Sequence, residues 1–559
     1  MFLVVAAMAM AAGQQDGGTA AAEMGDGPVY GGTLSMFSRL EAEPASPSEA
    51  DSQWIATFGK MPIQETLCRG DLDTYGPRGS GEYAFQTSGY IPMQYVTGHL
   101  LESWEIGPAD MSCKVREGIY WAPTEAQKAW MPERELTADD IVQDIYRFWE
   151  APWGNRFEGV LKEAYTTGEY TFVIEFVDKF NLEGFYYLGW EDRSAIAPPE
   201  MIEAGDEKWE NQVGTGPFQF EEYVPGSHMS YVRNENYWNT TMIDGEEYQL
   251  PFVDRLMTPI IPDQATQIAA LRTGRIDFHQ FVPPSYWGSL ESTELESAKY
   301  SNSTWFISML FAEPPFDDVK VRKALHIATD INAVKRLNFA EDIPRHSYPI
   351  HYQHPAYIPE DELPADLAEL YDFNPEKSKQ LLAEAGYPDG ISIDLYIDSQ
   401  PDSQDNAALL KDLWSKAGIM ANIVVHDPTT HTNFTYNRNY HGTIMSDQEI
   451  ANPINSLYRF AHTEGYINFS GYSDPEYDAI VSKLSTELDT EKQLPLMKEA
   501  QLKLLSDVVH IPFVPRISGH FWWPWLKNYY GEVTVTDGSC HSIAPWIWID
   551  ENMKKDLGF

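Results

Sequence analysis

Gly214-Thr-Gly-Pro-Phe-Gln-Phe-Glu-Glu-Tyr-Val-Pro-Gly-Ser-His-Met-Ser-Tyr-Val-Arg-Asn-Glu-Asn-Tyr-Trp238 is the stretch on which the fold turns. Gly214, Gly216 and Pro217 punctuate its start. Phe218 and Phe220 alternate with polar residues, as a half-buried strand requires. Pro225-Gly226 turns the chain, and Met229, Tyr231 and Arg233 resume the period of two. The reading is turn, strand, turn, strand and an aromatic stop. It is no phosphate loop: the Lys-Ser/Thr ending and the third glycine of a dinucleotide fingerprint are both missing.

Around this stretch lie 559 residues, too many for one core and enough for roughly three or four domains. A hydrophobic content of 43% excludes disorder. Seventeen Trp and thirty-one Tyr are residues that line ligand clefts as well as cores. The chain carries 84 acidic and 39 basic residues, net −45, which repels nucleic acid and anionic membranes. This charge suits either cationic ligands or life in salty water, and its spread along the chain favours the second. Three cysteines, Cys68, Cys113 and Cys540, allow at most one internal disulfide and have no metal-ligand spacing.

Residues 1–13 form an apolar run with small residues near Ala11-Ala12, like a secretion signal without its cationic leader. Residues 13–28 read as a tether, and no cysteine before Cys68 supports a lipid anchor. Tyr30-Gly-Gly-Thr-Leu-Ser opens the first strand. Leu100-Leu-Glu-Ser-Trp-Glu105 and Cys113-Lys-Val-Arg-Glu-Gly118 alternate like a hairpin pair. Thr137 caps a helix whose inner face is Ile141, Ile145 and Phe148. Residues 261–278 read as helix, Gly274 stop and strand. Asp317 or Asp318 caps a helix burying Val321, Ala324, Leu325 and Ala328. Asn374-Pro375 to Gly386 gives a helix with cap, N1 proline and terminal glycine. Leu410 to Val425 reads as helix, stop and strand, and Asp474-Pro475 caps a further helix. Pro495 is expected to kink or start the next helical piece. Helices alternating with strands favour α/β lobes.

The 214–238 stretch closely resembles the signature of the family 5 extracellular solute-binding proteins, the dipeptide, oligopeptide and nickel receptors of ABC importers. The Gly-Gly-Thr-Leu strand, the Glu-Ser-Trp strand, the Thr-Ala-Asp-Asp helix start and the segments 261–278 and 315–330 are similar to that family in the same order. The resemblance spans about residues 29–540, with an unexplained insertion over 121–132. It implies an α/β fold: a periplasmic-binding-protein-like two-lobed clamp of type II, in the large cluster C form with an additional domain. The implied boundaries are 1–28 for signal and tether; 29–58, 205–303 and 510–559 for a discontinuous first lobe; 59–204 for the additional domain; and 304–509 for the second lobe. Two strands crossing between lobes would act as hinge, and a ligand touching both lobes would shift the population toward the closed form. The expectation is a periplasmic, monomeric receptor that performs no chemistry, carries no cofactor, and partners the membrane permease of an ABC importer.

Peptide-binding relatives hold an extended peptide by main-chain hydrogen bonds, with an acidic residue before an Asp-Pro pairing the amino terminus. Counting back from Pro453 brings Glu449 to that position, with Asp447 the near competitor. A buried ammonium needs such a partner. The family's usual Trp and glycines are absent there, which leaves the peptide ligand open. Ser38, Arg39 and Leu40 follow the first strand, where relatives line the cleft. Trp305, Phe306, Trp522, Trp523 and Trp525 stand near the crossings and equally fit an oligosaccharide receptor, or plain cores. His346, His351 and His354 are metal-capable residue types, but their Pro-rich segment has no spacing that converges them. No Gly-x-Ser-x-Gly elbow or His-Glu-x-x-His occurs. A secreted glycoside hydrolase would need two carboxylates set across a cleft, and none has a placement that supports one.

Overall fold

The computed structural model describes residues 27–38, 59–86, 91–151, 154, 157–190, 194–341, 343–345, 348–352, 354–449, 452–465, 467–533, 535–536 and 540–559. Gly31 and Gly32, both at positive φ, lead into β1 (Thr33–Ser35). The block after residue 59 supplies β2 (Leu101–Ile106), β3 (Asp110–Val115), β4 (Leu161–Gly168) and β5 (Thr171–Phe176), in the antiparallel order β2-β3-β5-β4. Helix α1 (Ala138–Glu150) starts on a capping box between Thr137 and Asp140 and buries Ile141, Ile145 and Phe148. Helix α2 (Leu182–Gly189) is buried throughout.

The signature folds into the hairpin β6 (Phe218–Val224) and β7 (His228–Arg233), with Gly226 at φ +70° in the turn. With β8 (Arg255–Pro259) they form a four-stranded sheet, β1-β8-β7-β6, in which only the β1–β8 pairing is parallel. The glycines of the signature have a steric reason. A Cβ on Gly214 would sit 2.0 Å from the Ile63 carbonyl oxygen, and one on Gly216 2.5 Å from the same atom. Gly216 N–H donates to that oxygen at 2.8 Å. The aromatic stop clamps the opposite side. Tyr237 Oη and Trp238 Nε1 donate to the buried Glu65 carboxylate at 2.7 and 3.0 Å, and Thr215 Oγ1 at 2.7 Å. His99 Nε2 lies 2.9 Å from Glu65 Oε1. Burial opposes the charge of Glu65, but His99, Trp238 and Tyr237 outweigh it and hold the carboxyl below its usual range.

Helix α3 (Gln264–Arg272), capped by Asp263 and followed by Gly274 at φ +64°, leads to β9 (Phe278–Val282) and the long β10 (Glu296–Met309). Helix α4 (Val319–Ile327) is capped by Asp318, and α5 (Pro375–Glu384) by Asn374. Then follow β11 (Ile391–Asp398), α6 (Pro401–Ser415), β12 (Ile419–His426), β13 (Thr443–Glu449) and α7 (Pro453–Ala461). Helices α8 (Pro475–Leu484) and α9 (Thr490–Asp507) precede the long β14 (His510–Trp522) and the terminal α10 (Glu551–Asp556). Helix α9 begins at Thr490, not at Pro495: the Asp489 carboxylate accepts from Glu491 N–H and nucleates the turn earlier, leaving the proline inside the helix.

Strands β9-β14-β10-β13-β11-β12 make one mixed sheet. β10 and β14 run antiparallel for their whole length, about 45 Å of extended chain. At one end they pair with β9; at the other they enter the layer of β13, β11 and β12. Beyond β9 these strands enter a separate apolar core with α4, α5 and α6, and the molecule is two-lobed with these strands crossing between. Trp305, Ile307 and Met309 of β10 pack with α4 and α6 residues such as Val321, Leu325 and Leu410. Phe306 points to the other face, against Tyr348 and Phe460. Cys68 and Cys113 are buried and unpaired, and burial pushes both thiols up.

Candidate functional site

Ligands of open α/β sheets bind outside the carboxyl ends of parallel strands. In the second lobe those ends belong to β11, β12 and β13, which run parallel and finish at Asp398, His426 and Glu449. Helix α6 begins just after β11 and carries Asp402 in its first turn. Strand β14 passes alongside and contributes Arg516, paired with Ser303 of β10; Ser303 is paired in turn with Glu449, and Trp305 with Asp447.

These elements converge on one guanidinium. Arg516 Nη1 donates to Asp447 Oδ2 at 3.0 Å, and Nη2 to Asp402 Oδ2 at 3.2 Å. The surrounding protein disfavours the charged form, but Asp447 and Asp402 outweigh that, aided by Asp398, and raise the Arg516 pKa. Yet 49% of the Arg516 side chain remains exposed. Asp447 Oδ1 is buried with no hydrogen-bond partner. Three carboxylates against one guanidinium leave this cluster negative, with one carboxylate oxygen lacking a hydrogen-bond partner.

From the first lobe, Ser38 continues β1 by a parallel bridge to Ile260, and Phe37 lies against the His279 ring at 4.3 Å. Arg39, Leu40 and the side chain of Glu449 lie outside the described residues, as does His346. The aromatic candidates are core residues. Trp305 and Phe306 are buried because both faces of β10 are covered in the second lobe. Trp522 is buried and donates to Glu296 Oε2 at 2.8 Å; Trp523 is buried, donates to the Leu271 carbonyl at 2.7 Å and stacks on Trp525 at 4.5 Å. His351 lies against the Tyr352 ring, and His354 Nδ1 accepts from Ala356 N–H. Of the expected residues, Asp447 is the one found in the charged cluster; Arg516 and Asp402 were not anticipated. Arg516 had one sequence signal, a lone cation in the apolar run from Ile511 to Trp525. Asp402 had none, since an acid in a helix's first turn is ordinary.

The model of the bacterial extracellular solute-binding proteins, family 5 (middle region), matches residues 96–468. Heme-binding protein A of Haemophilus influenzae is 27% identical over 483 residues, covering 78% of this chain and 83% of that protein. The dipeptide-binding protein of Escherichia coli is 24% identical over 489 residues, covering 78% and 85%. The ABC transporter-associated periplasmic binding protein DppA of Helicobacter pylori, solved with the peptide STSA, superposes with a TM-score of 0.74 over 93% of this chain and 99% of that one, at 18% identity. Among the described residues no helix is long and apolar enough to cross a membrane. A two-lobed clamp whose lobes are joined by paired strands thus coincides with a family match over most of the chain: the protein belongs to the bacterial extracellular solute-binding proteins of family 5.

Proposed function

We propose that this protein is the extracytoplasmic receptor of an ABC importer for dipeptides or oligopeptides, which it captures between its lobes and delivers unaltered to the membrane permease. The observation that carries the reading is the negative pole of the cleft, where Asp447 keeps one oxygen unpartnered beside Arg516 and Asp402. That pole fits the ammonium of a peptide amino terminus, and Glu449, at the end of the same strand, is the second candidate for it. The clamp reading uses residues 29–58, 205–303 and 510–559 as first lobe, 59–204 as additional domain and 304–509 as second lobe, acting as a monomer. Closure follows because a ligand touching both lobes binds the closed form more tightly. The tryptophans that suggested a sugar receptor lie in cores, so no observation carries that alternative.

Calorimetric titration with dipeptides, an oligopeptide, an oligosaccharide and haem tests the reading. Peptides are expected to bind and to raise the melting temperature. Asp447→Asn is expected to weaken peptide binding at least about tenfold, and Glu449→Gln separates the two acidic candidates. Binding of haem or sugar with no peptide bound would overturn the proposal.

A further inference from the structure

We infer that the contact between α2 and α7 is a latch between the lobes, set apart from the acidic cluster, which favours the closed clamp and so raises the affinity for every ligand alike; this rests on the clamp-receptor reading above. Asn455, in the first turn of α7, carries it. Its Nδ2 donates to Tyr187 Oη at 2.6 Å and to Glu183 Oε2 at 3.2 Å, and Tyr187 Oη donates to the same Glu183 oxygen at 3.2 Å. Beside this triangle, Leu182 N–H donates to the Ser485 carbonyl at 3.2 Å. Leu182, Glu183, Tyr187, Asn455 and Ser485 are all buried.

The two helices are anchored to different bodies. Helix α2 lies within 59–204, the additional domain of that reading, and α7 within 304–509, its second lobe. The additional domain is fastened to the first lobe. Besides the Glu65 cluster, the 121–132 insertion does this: Ala122 N–H donates to the Gly214 carbonyl at 2.9 Å, Gln219 Nε2 donates back to the Ala122 carbonyl at 2.9 Å, and Gln127 Nε2 donates to the Gln212 carbonyl at 2.9 Å. Helix α7 is fastened to the second lobe. The Phe460 ring lies 5.4 Å from Phe306 of β10, and the Leu457 carbonyl accepts from Tyr477 Oη of α8 at 2.6 Å. Two bodies anchored apart yet touching separate at this contact when the crossing strands bend. The chain itself gives the side of the hinge. Asn455 comes six residues after Glu449, beyond the carboxyl end of β13, on the edge of the second-lobe sheet where Asp447 and Asp402 stand. A contact on that edge is made as the clamp closes. Its chemistry suits a contact that breaks: amide, phenol and carboxylate exchange each other for water on separation, as the polar seams between mobile domains do.

The test uses the full chain, titrated calorimetrically with dialanine and with tetraalanine, as wild type, Asn455→Ala, Tyr187→Phe and Tyr440→Phe. Tyr440 is buried and its Oη donates to the Phe469 carbonyl at 2.8 Å inside the second lobe, so Tyr440→Phe loses a buried hydrogen bond away from the latch and serves as control. Asn455→Ala is expected to weaken both peptides by one common factor, about three- to tenfold, because it lowers the population of the closed form and touches no ligand. Tyr187→Phe is expected to do the same to a smaller extent. Tyr440→Phe is expected to lower the melting temperature and leave both affinities unchanged. Affinities unchanged in Asn455→Ala, reduced by different factors for the two peptides, or reduced equally in Tyr440→Phe would overturn the inference and leave the receptor reading standing. A wild type that binds neither peptide, or that does not contract in small-angle scattering when peptide saturates it, overturns that reading and the inference with it. Should Asn455→Ala fail to fold, Tyr187→Phe, which lacks a single oxygen, decides by the same common factor.

Discussion

At the scale of single residues, the signature stretch is explained by contact distances. Gly214 and Gly216 exist because the Ile63 carbonyl occupies the space a side chain would need, and neither has a positive φ to explain it instead. Gly214→Ala is therefore expected to destabilise the protein by about 2–3 kcal/mol, measured by denaturant titration, with no relief from a compensating polar partner. The sequence displayed these glycines as turn punctuation, which was correct for the local chain. It did not display their close approach to a carbonyl about 150 residues earlier, because that contact exists only after the chain has folded. Asp447 was legible as an acid before a proline; its grip on Arg516 was not, since the two meet through strand pairing across β10.

At the scale of elements, capping and periodicity were readable almost throughout. Thr137, Asp318, Asn374 and Asp474 cap the helices their sequence context predicts. Of the two outcomes expected at Pro495, a helix start is excluded, because the Asp489 cap upstream already begins the helix and outweighs the missing N–H of one proline. What no element announced was its partner. Helix α2 meets α7 through Asn455 Nδ2, which donates to Glu183 Oε2 at 3.2 Å and to Tyr187 Oη at 2.6 Å. All three residues are buried. Asn455→Ala is expected to lower stability by about 1–3 kcal/mol, because buried polar groups lose their donor, and thermal denaturation checks it. An unchanged melting temperature would show that the α2–α7 contact carries no stability.

At the scale of the whole molecule, charge and burial pull stability in different directions. The net charge of −45 repels itself in dilute buffer, so added NaCl between about 0.1 and 1 M is expected to raise the melting temperature. Acid acts through buried histidines. Desolvation pushes His279 and His541 down to about 4, and His510 and His520 down to about 3. Between the unfolded value of 6.5 and these folded values, the unfolded chain binds more protons, so stability falls as pH falls through that window. Each such histidine contributes up to about 1.4 kcal/mol per pH unit. Melting temperatures measured from pH 7 to pH 4 at constant salt are expected to decline, although acidification also relieves carboxylate repulsion; a rise would show that repulsion dominates. The sequence by itself determined the alternation of helix and strand, the caps, the signature hairpin and the family, because these depend on neighbours within a turn or a strand. Only the tertiary structure decided which aromatics are core and that Arg516 and Asp402 join Asp447. Those properties depend on which distant strands lie side by side, and pairing across hundreds of residues leaves no local periodicity to read.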